Sequence, residues 1–395
     1  MEKAAININF NNTELAFKAK SDKELRRSYR LFRMIDNPFL TKVGPKLMML
    51  GFKLGLPIKG IVRRTLFDIF VGGETLEETI QVSSYLDTFG VKTILDYSVE
   101  GEKTEEGFDK TLHEIIEAVK HGGRIQEVVF AACKLTGLAD MDLMTRIQAG
   151  EKLSEAEVKA KARVKERMDE LAAVAKLHDT PIFIDAEDSW IQEYIDELAE
   201  EMMERYNKEK CYVYTTVQLY RHDRLAYLRG LIRRSEEKGY ILGVKLVRGA
   251  YMEKEAERAE EMGYENPIQA DKASTDRDYN AALKLCVNHL DHVAICAGTH
   301  NEASSLLLAE LLAENGYAPD HPHIWFAQLL GMSDNISFNL AHNGFNVAKY
   351  LPYGPVKAVM PYLIRRAEEN TSVAGQASRE TDLLSKEVKR RKGSK

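Results

Sequence analysis

An α/β fold closed into a (β/α)8 barrel, preceded by an N-terminal helical arm, is what this sequence predicts, on three observations. Short apolar runs rich in Val, Ile and aromatic residues recur around 92–97, 127–133, 181–185, 211–218, 241–248, 292–298, 323–328 and 345–351. Segments of helical periodicity separate them, as over 191–203, where apolar residues return every third or fourth position, and strands alternating with helices imply parallel βαβ units. Each run ends in chemistry: Asp96 and Tyr97, Lys134, Asp185 and Glu187, Gln218 and Tyr220, Lys245 and Arg248, Thr299 and His300, Gln328, and Tyr350. A doubly wound open sheet also fits the alternation, but eight runs with polar residues at their C-terminal ends favour the barrel. Polar residues also mark where ordinary strands stop. Lys134 and Asp185 argue for more, because each abuts a long apolar stretch where an unpartnered charge is costly.

Taken in order, residues 1–70 read as the helical arm, ending in a basic amphipathic stretch over 51–64 that suits packing on the barrel better than lying on a membrane. The barrel occupies 71–380. Within it, 140–179 is a long excursion between the second and third strands, dense in Lys and Glu at helical spacing, and is expected as an exposed helical hairpin. Residues 381–395 form a basic tail, expected to be mobile, of a kind that also binds anionic lipid.

With 395 residues and 44% hydrophobic content the chain can bury a sizeable core. A net charge of −6 gives no basic field to recommend nucleic acid as a partner. Cys133, Cys211, Cys286 and Cys296 lack C-x-x-C spacing and suit a reducing compartment. The N-terminus has neither signal-peptide nor transit-peptide character, and no run approaches the roughly 18 uninterrupted apolar residues of a membrane span. The expectation is a cytoplasmic protein, at most peripheral on the inner face of the cell membrane. Neither G-x-G-x-x-G nor a P-loop occurs, there is no nucleophile elbow, and His321 and His323 have no nearby third ligand, so no metal is assigned.

The most informative stretch is 350–370. Pro361 suits a first helical turn and, counting onward, Tyr362, Arg365 and Glu369 fall on one face, with Arg366 beside them. Adjacent guanidinium groups on an apolar helix suit a carboxylate, which Arg grips bidentately, while Glu369 holds one of them in its rotamer. A solvated helix with an ordinary Arg–Glu pair has the same pattern.

Further motifs narrow the choice. Lys245–Tyr251 (KLVRGAY), Gly298–Asn301 (GTHN), Phe326–Met332 (FAQLLGM), Phe183–Glu187 (FIDAE), Val217–Tyr220 (VQLY) and the 350–370 run together resemble the proline dehydrogenase family, in order from about Gly73 to Asn370. The segments over 90–97 and 326–332 look closer to the monofunctional, eukaryotic-type branch than to the bacterial bifunctional enzymes. The resemblance implies a distorted α/β barrel that binds FAD and oxidises L-proline to Δ1-pyrroline-5-carboxylate by hydride transfer from C5 to flavin N5, the first step of proline catabolism, with a quinone as electron acceptor. It implies that Arg365, Arg366 and Lys134 bind the proline carboxylate, that Glu369 orients the arginines, and that Leu329, Tyr350 and Tyr362 pack the ring. It places Ala186, Gln218, Val247, Arg248, Gly249, Thr299 and His300 at the FAD, and gives Asp185 and Lys245 catalytic positions beside the flavin.

Lys245 departs from many bacterial members, which have arginine there; lysine cannot make the planar bidentate contact. For Asp185 an orienting role fits better than a general base. Within the family the rival is hydroxyproline dehydrogenase, where serine is typical at the position of Tyr350, so tyrosine argues for proline. A non-catalytic barrel serving as a binding protein is the alternative from another class. The chain ends some 25 residues after the Arg365–Arg366 helix, so no aldehyde dehydrogenase domain is expected to follow and a separate enzyme would finish the pathway.

Overall fold

The computed structural model describes residues 8–36, 44, 54, 59–98, 102–372 and 376–393; the side chains of residue 61, of 367–372 and of 376–377 are outside that description. The strands are β1 (Val91–Tyr97), β2 (Val128–Lys134), β3 (Ile182–Asp185), β4 (Val213–Gln218), β5 (Leu242–Val247), β6 (Val293–Gly298), β7 (Ile324–Leu329) and β8 (Val347–Tyr353). They pair in sequence order into a closed barrel, β2 to β7 in parallel register. All eight apolar runs are therefore strands. The longer helices are α1 (Asp22–Ile35), α2 (Leu76–Asp87), α3 (Glu105–Gly122), α4 (Met141–Gln148), α5 (Glu155–Leu177), α6 (Ser189–Tyr206), α7 (Arg224–Lys238), α8 (Met252–Met262), α9 (Lys272–Val287), α10 (Glu302–Glu314), α11 (Asp334–His342), α12 (Met360–Ser372) and α13 (Gln376–Gly393). The chain divides into two compact units: one of Met1–Ile6, Ile94–Tyr97 and Gly101–Ala327, the other of Asn7–Thr93, Ser98–Glu100 and Gln328–Lys395.

In the first unit the barrel interior is set by strand alternation. Phe130 of β2 stacks on Phe183 of β3 at 4.4 Å and meets Trp325 of β7 edge-on at 5.5 Å, while Tyr214 of β4 stands against both phenylalanines. Strands β2 and β7 are not neighbours, so these rings fill the lumen. Residues two and four positions further along each strand point the same way. Lys134, Asp185, Thr216, Gln218, Lys245 and Val247 thus share the inward face, above an aromatic floor.

Outside this barrel the excursion over 140–179 departs from expectation. It does form two helices, α4 and α5, started by Asp140 and by a Ser154–Glu157 capping box. But α5 is not an exposed hairpin arm: Val164, Met168, Leu171, Ala172 and Ala175 are buried against α3 and α6, and Arg167 is buried too, paired with Glu105 and Asp109 and donating to the Leu138 carbonyl. This apolar stripe at helical spacing was hidden by the dense Lys and Glu of the other face. Helix α5 is the outer-layer crossover from β2 to β3.

The second unit has its own core, built from Phe17, Leu25, Phe32, Phe67, Phe70, Val359, Leu363, Leu383 and Leu384 among others. The helical arm reads as expected over Thr13–Ala16, α1 and the turns spanning residues 59–70, whereas most of the basic stretch over 51–64 lies outside the described residues. The tail is a correction. Residues 381–393 continue α13, which packs on α1, buries Leu383 and Leu384, and encloses Glu387 between Arg390 and Arg391. Arg391 also donates to the carbonyls of Phe17 and Lys20. Arg390 and Arg391 are bound to the protein rather than fraying in solvent, because buried Glu387 pairs with both.

Candidate active site

In the first unit, the register sets Lys134 opposite Asp185 across β2 and β3, and the Lys245 ammonium forms an ion pair with Asp185, both side chains mostly buried. Lys245 also lies 5.2 Å above the centre of the Phe183 ring. Burial makes the pairing matter, since a desolvated charge is costly unless it is paired. Just beyond, Ala186 is buried and Glu187 turns back to accept hydrogen bonds from the Thr136 amide, at 2.9 Å, and the Thr136 hydroxyl. Burial pushes the Glu187 carboxyl up to about 7, against the opposing pull of those hydrogen bonds and of Lys134. Glu187 thereby fixes the turn that follows Lys134. It was visible at the strand end but its connection to Thr136 depends on two loops meeting, which sequence spacing does not show.

Arg248, at the end of β5, is the hub of the neighbouring loops. Its guanidinium donates to Asp276 at 2.7 Å, Thr299 at 2.8 Å and Ser304 at 3.0 Å and lies 4.3 Å over the Tyr279 ring. Burial works against ionisation of Asp276, yet hydrogen bonds from Lys272 and Arg248 hold it below the usual carboxylate range. The structure thus joins Arg248 to Thr299, as both were grouped from sequence, and adds Asp276, Ser304 and Tyr279, which sit inside helical periods and gave no signal. Half-buried His300 follows Thr299 and precedes Asn301, the N-cap of α10.

Two features of this unit bear on whether a flavin fits. The Gln218 side-chain oxygen is buried with no hydrogen-bond partner among the described residues, and an acceptor so placed calls for a donor such as a ring N–H. Gly249 follows Val247 and Arg248 at φ +142°, and a Cβ there would lie 2.4 Å from the Tyr220 ring, so only glycine keeps this backbone bare at the strand end. With a lysine cation nearby, the donor set suits an isoalloxazine.

The second unit carries the remaining candidates. Helix α12 begins at Met360 with Pro361 in its first turn, as expected. Arg366 is buried, with its guanidinium 5.0 Å from the centre of the buried Tyr362 ring. Arg365 beside Arg366 is half-buried. The Glu369 side chain lies outside the described residues. Tyr350 is buried in β8, and Leu329 is half-buried at the end of β7, packed on the second unit's core. A buried guanidinium over an aromatic ring is held by a cation–π contact, unlike a solvated surface arginine.

A family model described as proline dehydrogenase matches residues 79–379. The chain belongs to the proline dehydrogenase family. Among its relatives, proline dehydrogenase 1, mitochondrial, of Dictyostelium discoideum is 30% identical over 426 aligned positions, 96% of this chain and 74% of that protein. The carbapenem antibiotics biosynthesis protein CarD of Pectobacterium carotovorum is 35% identical over 82% of this chain and 84% of that protein, and hydroxyproline dehydrogenase of Xenopus laevis is 31% identical over 95% and 88%. The proline utilization A protein of Bdellovibrio bacteriovorus shares the fold with a TM-score of 0.72 at 18% identity; it covers 94% of this chain, which spans 40% of that longer one. Mitochondrial proline dehydrogenases of eukaryotes are similar to this chain at 30–40% identity. The family is one of oxidoreductases that depend on flavin in general. Among the described residues, no helix of this family member is long and apolar enough to cross a membrane.

Proposed function

We propose that this chain oxidises L-proline to Δ1-pyrroline-5-carboxylate using FAD and passes the electrons to a quinone, an acceptor that calls for at least peripheral membrane contact by an otherwise cytoplasmic protein. The observation that supports it most is the buried Arg366 guanidinium stacked on Tyr362 within the stretch matched by the family. A small zwitterion offers few handles besides its carboxylate, and charge-assisted bidentate contacts are the strong way to hold one. Arg365 and Arg366 take that role, with Lys134 as a third cation and Glu369 orienting the pair. Tyr350, Tyr362 and Leu329 pack the pyrrolidine ring carbons and exclude water, so that positioning supplies much of the rate.

When bound here, FAD would supply a hydride acceptor for the ring carbon. Around it, Gln218 satisfies its buried oxygen, Gly249 presents bare backbone, and Ala186 and Val247 provide small apolar walls. Thr299 and His300 complete the cofactor contacts, while Arg248 fixes the loops that present them. Lys245 supplies positive charge where electron density accumulates, and Asp185 holds Lys245 in place rather than taking a proton from substrate. Loss of a hydride from the amine's α-carbon requires the amine neutral, which a dry cationic pocket favours. The bulk of Tyr350 favours proline over a ring bearing a hydroxyl.

Anaerobic titration of the purified protein with L-proline and with trans-4-hydroxy-L-proline, following the flavin absorbance, tests the reading. Bleaching by proline at the lower concentration is the expected result. Bleaching by hydroxyproline alone would overturn the pocket assignment, and colourless protein that cannot be reconstituted with FAD would point to the non-catalytic barrel.

A further inference from the structure

A buried ionic cluster beneath β8 lies outside every role assigned above. Lys349, fully buried, precedes Tyr350 in the strand, and alternation turns the two side chains to opposite faces. Its ammonium donates to the carbonyl of Met332 at 2.5 Å and lies 3.4 Å from that of Leu329, and it pairs with Asp334 at 2.8 Å. The other oxygen of Asp334 pairs with Lys20 of the arm at 2.8 Å. Buried Glu380 of α13 accepts from the amide of Ser333. Two cations and two carboxylates from four separate stretches thus enclose the loop over 330–333.

That loop has an unusual conformation to hold. Gly331 and Ser333 are both left-handed, at φ +77° and +51°, and a Cβ on Gly331 would lie 2.4 Å from the Ile69 carbonyl. Serine at positive φ is disfavoured unless its surroundings hold it there. The Leu330 amide donates at 3.0 Å to the carbonyl of Tyr350, so the loop's first residue and the strand share one hydrogen bond. Hence the cluster grips both chain segments that bear Leu329 and Tyr350.

We propose that Lys349, Asp334 and Glu380 are positioning residues that set Leu329 and Tyr350 for the substrate ring, so that fit to proline depends on how α13 and the arm are seated on the 330–333 loop. This rests on the reading of Leu329 and Tyr350 as walls for the ring. A cluster needed only for folding would instead couple to global stability and leave the substrate constants of folded protein alone.

The test uses the flavin-loaded full chain carrying Lys349→Met, Glu380→Met or Glu380→Gln, the last of which keeps an acceptor for the Ser333 amide. Lys349→Met and Glu380→Met are expected to raise KM for L-proline about 10-fold while kcat stays within about 3-fold, and Glu380→Gln to restore KM. In parallel, hydrogen exchange at the amides of 330–333 should quicken at least ~10-fold in the two methionine variants, with strands β3 to β6 unchanged. If Lys349→Met does not fold, the Glu380 pair decides alone. Folded methionine variants with unchanged KM, or exchange quickened along the whole chain, would overturn the proposal. Wild-type flavin that proline reduces while the variants match wild type sinks this inference only; wild-type flavin indifferent to proline sinks the proposed function and this inference with it.

Discussion

The two units handle buried charge in different ways. In the first, charges are matched pair by pair, Lys245 of β5 with Asp185 at the end of β3, two strands away, and Arg248, just after β5, with Asp276 of α9. In the second, the charges of Lys20, Asp334, Lys349 and Glu380 come from the arm, the first residue of α11, β8 and α13, and act over the whole length of the chain. The lesson is one of division: the first unit presents a polar lining suited to a flat cofactor, and the second holds apolar walls and guanidinium groups suited to a small carboxylate. Each unit can then be perturbed by itself, and the effects should separate.

The largest effect is expected in the second unit's cluster. Lys349→Met leaves Asp334 with Lys20 but without its strand partner, and removal of one partner from a buried pair costs about 3–5 kcal/mol, expected as a local loss read by quickened hydrogen exchange at 330–333 while β3 to β6 keep their protection. Next comes Arg366→Met, for which KM for L-proline should rise about 100-fold, roughly 2.7 kcal/mol of binding, with flavin retained. A variant that lost flavin as well would break the division between units.

A pH effect belongs to the first unit. The Glu187 carboxyl titrates near 7 in the folded chain against an ordinary 4.5, so protonation favours the folded state. The stability it contributes is complete below 4.5 and is lost as pH rises through 7. Between pH 5 and pH 8, wild type should therefore lose on the order of 2 kcal/mol relative to Glu187→Gln, seen as converging and then crossing Tm profiles; parallel profiles would refute the buried assignment. The smallest effect concerns the ring. Tyr350→Ser opens space at a wall and should shift the proline-to-hydroxyproline ratio of kcat/KM about 10-fold toward hydroxyproline, the range available from a change of packing in an apolar pocket.

What could be read from sequence follows the same division. All eight strands were legible because parallel barrel strands are buried on both faces and appear as continuous apolar runs, and the site lysines and aspartates stood out as charges at their ends. Helix α12 was legible from Pro361 and its adjacent arginines. Less visible was anything depending on contact between distant segments. Lys349 stood as a charge inside an apolar run, but nothing local pairs it with Asp334 or Lys20. Glu387 and its arginines looked like a frayed basic tail because their seat on the arm lies more than three hundred residues away in sequence. In α5 the apolar stripe was masked by charge density on its other face.

The division between units is tested most directly by measuring flavin affinity and KM for L-proline side by side on Arg366→Met and Gln218→Leu. The account predicts that Arg366→Met keeps wild-type flavin affinity and loses substrate, whereas Gln218→Leu weakens flavin binding and, once saturated with FAD, keeps KM within about 3-fold of wild type. Loss of both flavin and substrate affinity in either variant, or an unchanged KM in Arg366→Met, would contradict it.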